Sequence, residues 1–261
     1  MNYLRKILKK NKTIHTLYFF ALNGWASLKP RMVHLFKIKL FLNFYKDYKN
    51  YRDSNANKNF TLSPNNLYPC LYDNTGNTQV NYTYFYQDAW CAKKVFENKP
   101  EHHYDVGSNS HMVAIISQFT KTTMLDIRPL DVELPGLSFR KADIIQTGLP
   151  DNSIASLSSI CVLEHIGLGR YGDSIDPFGT EKSAKEIKRI LSQNGNLYIS
   201  LPVDYENKVY FNAHRAFTKD YVLKIFSPLK LIEEKYIYGS RMFDSYDKSK
   251  GFGTGMFHFK K

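Results

Sequence analysis

From residue 101 onward short apolar strands alternate with helices, and no other feature of the sequence limits the fold as much. "HHYDV" (102–106) and "TTMLDI" (122–127) read as strands around a helix through "HMVAIISQF" (111–119). "LSFRKADI" (137–144) and "IASLSSICV" (154–162) read as two further strands. "TEKSAKEIKRILSQNG" (180–195) predicts a helix capped by Thr180, with Ile187, Ile190 and Leu191 as its buried stripe and Gly195 as its stop. "NLYISLP" (196–202) is a strand, and "TKDYVLKIFS" (218–227) a helix capped by Thr218. "LKLIEEKYIYG" and "GTGMFHFKK" close the chain as strands with no helix between them, which predicts a final antiparallel hairpin. Such alternation argues for a doubly wound α/β sheet.

"EHIGLGRYGD" (164–173) carries the G-x-G-x-x-G spacing of a dinucleotide loop at Gly167, Gly169 and Gly172. Its context does not suit that role. A dinucleotide loop opens a helix and is followed by a strand-ending acid about 20 residues on. Here "DSIDPFG" follows, Pro177 disfavours helix just before it, and Ser192 stands where the acid is needed. "YDVGSNS" (104–110) meets the requirements better, because it ends a strand, leads into a helix and is followed by Asp126 at the end of the next strand. Its one glycine, Gly107, disfavours a pyrophosphate. A ligand with a ribose and a carboxylate suits it, the ribose hydroxyls donating to a strand-end acid.

These segments resemble the class I S-adenosylmethionine-dependent methyltransferases across residues 101–261. "YDVGS" resembles their first motif, "MLDI" the ribose-binding acid, and "KADI" the segment whose Asp143 approaches the adenine amino group. "GLPDNSIASLSSICVLEHI" and "EIKRILSQNGNLYISLP" are similar to the family's fourth-strand and fifth-strand units. The resemblance implies a Rossmann-like, mostly parallel seven-stranded sheet with an antiparallel last strand. It also implies S-adenosylmethionine contacts from Asp105, Gly107, Ser108, Asp126, Ile127, Asp143, Ile144 and Leu163. Asp105 has a second reading, in which it fixes the loop amides. Two family glycines fall at Asn109, which tolerates left-handed angles, and at His111, which is expected to crowd the site. "EHIGLGRYGDSIDP" with "FNAHRAF" further resembles an uncharacterised subfamily associated with bacterial surface-polysaccharide loci.

In that fold the acceptor lies beyond strands four and five. His165 and His214 are the candidate catalytic bases, and Arg170, Tyr171, Asp173 and Arg215 the candidate substrate contacts. Two histidines and two arginines suit an anionic small molecule or glycan bearing a hydroxyl, such as a sugar phosphate. Alternatives stand beside these: Glu164 and His165 buttressing the loop, His214 idle in a surface loop, and the arginines paired with Asp173 or Asp176. Tyr84, Tyr86 and Asp88, on a helix over 82–98, are either cofactor-pocket residues or core.

Charge separates the chain into a basic extension, 1–100, and the methyltransferase-like domain, 101–261. Residues 1–60 carry thirteen Lys and Arg against Asp47 and Asp53, which is nearly the whole net charge of +12. A near-neutral domain without an RNA-binding module argues against nucleic acid as a partner. Val33, Phe36, Leu40 and Phe44 recur at helical spacing among lysines. They predict a helix that packs on the domain or, with the rest of residues 1–50, lies on an anionic membrane. Residues 52–81 read as linker. The three cysteines, Cys70, Cys91 and Cys161, form neither a zinc spacing nor a disulfide framework, and no metal is expected. No apolar run reaches the ~20 residues of a membrane span, and "LYFFALNGWASL" (17–28) lacks a cleavage site. A cytoplasmic enzyme is expected, membrane-peripheral if the arm lies on a bilayer, O-methylating a sugar or glycan precursor in polysaccharide or capsule biosynthesis. The alternative is a non-catalytic methyltransferase-like scaffold whose basic arm holds a membrane or partner. Oligomeric state does not follow from the sequence.

Overall fold

A computed structural model describes residues 30–54, 57 and 59–261 of the chain. The first arm segment, including "LYFFALNGWASL", lies outside the described residues. Two compact units are present, Met1–Gln79 and Val80–Lys261.

In the first unit the predicted helix is found as α1, Pro30–Ser54, which gathers the stripe of Leu40 and Phe44 among lysines. No described helix is long and apolar enough to cross a membrane.

The second unit is the α/β domain, and it begins before residue 101. The helix α2, Tyr82–Asn98, capped by the Asn81 side chain, packs against the sheet and belongs to this unit rather than to the extension. Its strands and helices then follow as β1 (His102–Val106), α3 (Ser110–Ile116), β2 (Lys121–Asp126), β3 (Leu137–Lys141), β4 (Ile154–Ile160), α4 (Gly179–Ile190) and β5 (Leu191–Val203). A small hairpin, β6 (Lys208–Tyr210) and β7 (His214–Ala216), precedes α5 (Lys219–Phe226), β8 (Lys230–Tyr238), β9 (Arg241–Phe243) and β10 (Gly253–Lys260).

The main sheet runs β3-β2-β1-β4-β5-β10-β8-β9. β3, β2, β1, β4 and β5 pair in parallel, and β10 is antiparallel to both β5 and β8. The predicted antiparallel last strand is therefore present, inserted between its neighbours. The sheet has eight strands rather than seven, because the short β9 adds to the β8 edge.

Strand alternation distributes the core over both faces. Along β5, Leu197, Ile199 and Leu201 join the cluster with Ile187 and Ile190 of α4 and Phe226 of α5. Tyr198 turns the other way and joins Trp90 of α2 and Met112 and Ile116 of α3. Thr218 caps α5 by accepting from the Tyr221 N–H, as expected. Two expectations for α4 fail. Phe178 occupies its N-cap without a side-chain bond, while Thr180 is buried and its hydroxyl donates to the Leu163 carbonyl, 2.7 Å. The helix also ends at Ile190, before Gly195, because the chain turns straight into β5 and Gly195 sits in an irregularity of that strand.

Candidate functional site

The parallel strands end on one edge of the sheet, and the loops leaving β1, β2 and β4 enclose a cleft there. It has two lobes. Gly107, Asp126, Ile127, Asp143, Ile144, Ile145, Val162 and Ile166 line the first. Tyr84, Ser108, Glu164, Arg170, His214 and Phe252 line the second. Gly107, Cys161, His165 and Tyr171 belong to both and form the wall between them.

The β1 turn is set by a buried polar network. Asp105 is fully buried and accepts from the Ser108 N–H at 3.0 Å and the Ser108 hydroxyl at 2.7 Å. It also accepts from the Ser158 hydroxyl of β4, while His103 bonds Ser156 and Ser158 at 2.8 and 2.9 Å. Burial pushes the Asp105 carboxyl up to about 6 and His103 down to about 3, so the imidazole is neutral. Asp105 thus fixes the loop and lines neither lobe, which is the second of the two sequence readings. The turn it fixes brings Gly107 to φ +59 with its N–H on the Leu125 carbonyl, 2.9 Å. A Cβ there would sit 3.3 Å from Val162 Cγ1 and 3.4 Å from Asp126 Oδ2, filling the space in front of the carboxylate. The left-handed angle favours glycine, and a Cβ would narrow the space in front of the carboxylate.

Asp126 ends β2 at the mouth of the first lobe. It accepts from the Arg128 N–H at 2.8 Å, and the Arg128 guanidinium spans its two oxygens at 3.3 and 3.1 Å. Asp143 accepts from the Ile145 N–H at 2.9 Å. A strand-end carboxylate, apolar walls from Ile127, Ile144, Ile145, Val162 and Ile166, and the cradle at Gly107 fit a ribose-bearing adenine ligand. A further acceptor stands behind the loop: Asp88 Oδ1 of α2 is buried without a hydrogen-bond partner among the described residues, and Oδ2 accepts from Asn109 at 3.3 Å. Burial raises this carboxyl to about 6. Such an orphaned acceptor beside the first-motif loop suits an ammonium group.

The two departures from the glycine pattern are accommodated. Asn109 adopts φ −57 rather than a left-handed angle and caps α3 with its side chain. His111 is exposed and lines neither lobe, so it does not crowd the cleft.

The "EHIGLGRYGD" loop belongs to the acceptor side. Asp173 closes it, accepting from the N–H groups of Gly167 (2.7 Å), Gly169 (3.3 Å) and Tyr171 (3.2 Å). Burial opposes ionisation of Asp173, but these donors outweigh it and hold the carboxyl below its ordinary range. Gly167 at φ +82 lies so close to Asp176 that a Cβ would stand 2.1 Å from its carbonyl oxygen. Gly167 therefore serves close backbone packing, while Gly169 and Gly172 adopt left-handed angles at φ +70 and +86. Arg215 is buried and donates to the carbonyls of Ile166 (2.6 Å), Asp176 (3.2 Å) and Pro177 (3.4 Å), stapling the loop to β7. Its guanidinium forms no ion pair with the carboxylates of Asp173 and Asp176. Leu163 lines neither lobe, and its side chain is wholly buried in the core.

The second lobe gathers the remaining candidates. His165 Nδ1 donates to the Ala213 carbonyl at 2.6 Å, a partner that can only accept, so Nε2 carries the lone pair. Burial lowers His165 to about 4 and also lowers His214, leaving both neutral. Arg170 donates to the same carbonyl at 2.9 Å, and its guanidinium lies 5.1 Å from the Tyr171 ring centre. Arg128 approaches that ring at 4.4 Å. Lining residues that escaped the sequence reading as ligand-facing include Arg128, Ile145, Cys161, Val162, Glu164, Ile166 and Phe252. Only Glu164 had a signal, its place beside His165.

Residues 150–237, about a third of the chain, match the model of a family described as "Caenorhabditis protein of unknown function, DUF268". Comparison with curated protein sequences gives no match. Among solved structures the chain is similar to N-methyltransferase NodS from Bradyrhizobium japonicum WM9 in complex with S-adenosyl-L-homocysteine. The TM-score is 0.50 at 11% identity, over 82% of this chain and 97% of that one. It is also similar to the [4+2]-cyclase SpnF, with a TM-score of 0.51 at 13% identity over 67% and 79% of the two chains. With the parallel order of β3-β2-β1-β4-β5 and the antiparallel β10, the unit Val80–Lys261 has the fold of the class I S-adenosylmethionine-dependent methyltransferases.

Proposed function

We propose that the chain is an S-adenosylmethionine-dependent methyltransferase that O-methylates an anionic sugar, sugar phosphate or glycan precursor in surface-polysaccharide biosynthesis. The observation that carries this reading is the shared wall of Gly107, Cys161, His165 and Tyr171, across which a donor bound in one lobe would face an acceptor bound in the other. Fold alone does not carry it, since the same fold serves a cyclase. Asp126 would hold the ribose hydroxyls, Asp143 and the isoleucines the adenine, and Asp88 the ammonium group. The bound cofactor supplies an electrophilic methyl group on a sulfonium. Methyl transfer is an in-line displacement, so the protein's part is to align the nucleophile, exclude water and take up its proton. His165 and His214, both neutral, face the acceptor, and Arg170 brings positive charge to the anionic group. Tyr171 and Phe252 supply apolar wall. The protein acts in the cytoplasm, where residues 1–50 give peripheral membrane contact.

Calorimetry tests the cofactor assignment. The wild type is expected to bind S-adenosylmethionine, and Asp126→Ala to weaken it by about 10-fold or more, from loss of hydrogen bonds to a charged group. A wild type that binds none refutes the enzyme reading and leaves the scaffold alternative.

A further inference from the structure

Glu164 is the one carboxyl of the second lobe that the functional reading leaves without a task. Its side chain is 2% exposed, and Oε2 is buried with no hydrogen-bond partner among the described residues. Oε1 stands 3.6 Å from His165 Nε2, on the edge of the ring opposite the bond to Ala213. Its main chain is fixed from the neighbouring hairpin, where the Arg215 N–H donates to the Glu164 carbonyl at 3.0 Å. A buried oxygen left unpaired is costly, so a carboxyl held this way awaits a hydrogen-bonding partner.

We propose that Glu164 is the catalytic base, taking the proton of the acceptor's attacking hydroxyl on Oε2. This inference rests on the reading of the chain as a methyltransferase. In the step, the hydroxyl O–H bond breaks toward Glu164, an O–C bond forms to the methyl group, and the C–S bond breaks. The electron pair of that bond neutralises the sulfonium to a thioether. The proton then leaves from the neutral carboxylic acid to water when product departs.

The surroundings favour Glu164 over the histidine beside it. Tyr84 of α2, Cys161 after β4, His165 and Arg170 of the loop, and His214 of β7 face the same space. The Arg215 guanidinium is turned away to the loop carbonyls. Burial raises Glu164 to about 8, against smaller lowerings by its own backbone N–H, the Cys161 thiol and Arg170, whereas burial takes His165 down to about 4. A base works best when its affinity for a proton lies near the working pH, and His165 holds a proton too weakly. His165 is then a positioning residue, with Nδ1 anchored and Nε2 beside the base.

The test uses the full-length chain with Glu164→Gln and Glu164→Asp variants. Infrared difference titration should show a protonated carboxyl band in the wild type that disappears as pH rises through about 8, and that is missing from Glu164→Gln. Binding of S-adenosylhomocysteine should stay within about threefold in all three proteins. Transfer of labelled methyl from S-adenosylmethionine to the acidic sugar fraction of an extract should rise with pH toward a plateau above 8 in the wild type. It should fall about 100-fold or more in Glu164→Gln and partly return in Glu164→Asp. Absence of the band, or transfer by Glu164→Gln at the wild-type rate, overturns the assignment. A wild type that binds no S-adenosylhomocysteine, or transfers no methyl, overturns the methyltransferase reading itself and this step with it.

Discussion

At the scale of single residues, chemistry that depends on one strand end is legible in the sequence, and chemistry that depends on distant carbonyls is not. Asp126, Ile127, Asp143 and Ile144 line the first lobe because each ends or directly follows a parallel strand. Arg215 reads equally well as a substrate clamp, and only the folded loop shows that three carbonyls use its guanidinium. Leu163 misleads for a simpler reason: it neighbours lining residues in sequence but points into the core. Arg128 carries no warning at all. Its guanidinium lies across both oxygens of Asp126, so a ribose must compete with it. The Arg128 side chain is half-exposed although Asp126 is largely buried, so solvent screens the pair and it is worth only about 1 kcal/mol. Arg128→Ala should therefore tighten S-adenosylmethionine binding by about two- to fivefold, measured by calorimetry at low salt. Weaker binding in that variant would show instead that Arg128 is part of the ligand site.

At the scale of elements, periodicity locates β1, β2, β4, β5, α4 and α5 because their apolar residues meet a layered core. It misses β9, a three-residue strand too short to show a period, which pairs with the end of β8. It also misplaces the start of the domain, since α2 carries the aromatic pattern of an extension yet buries Gln87, Trp90, Cys91 and Val95 against the sheet. The arm helix α1 raises a separate question. Its lysines alternate with Ile38, Phe41 and Leu42, all more than half exposed, in a pattern suited to an anionic bilayer surface. Deleting residues 1–50 should abolish sedimentation with phosphatidylglycerol-containing liposomes and leave S-adenosylmethionine affinity unchanged. Undiminished sedimentation would refute the membrane role.

At the scale of the whole molecule, charge and chemistry are divided between the two units. Nearly all of the +12 net charge lies within residues 1–60, while the sheet unit holds the cleft. On the proposed reading, recognition of an anionic acceptor would fall to local groups, Arg170 above all, rather than to a long-range field. The central claim is that a methyl group crosses from the β1–β2 side of the cleft to an oxygen on the β4–β5 side. The direct measurement feeds methyl-labelled methionine to cells producing the chain and identifies the labelled product by mass spectrometry. The account predicts a labelled methyl ether on an acidic sugar or glycan precursor, lost in cells producing Asp126→Ala. Label on nitrogen or carbon, or the same product from the Asp126→Ala chain, would contradict it.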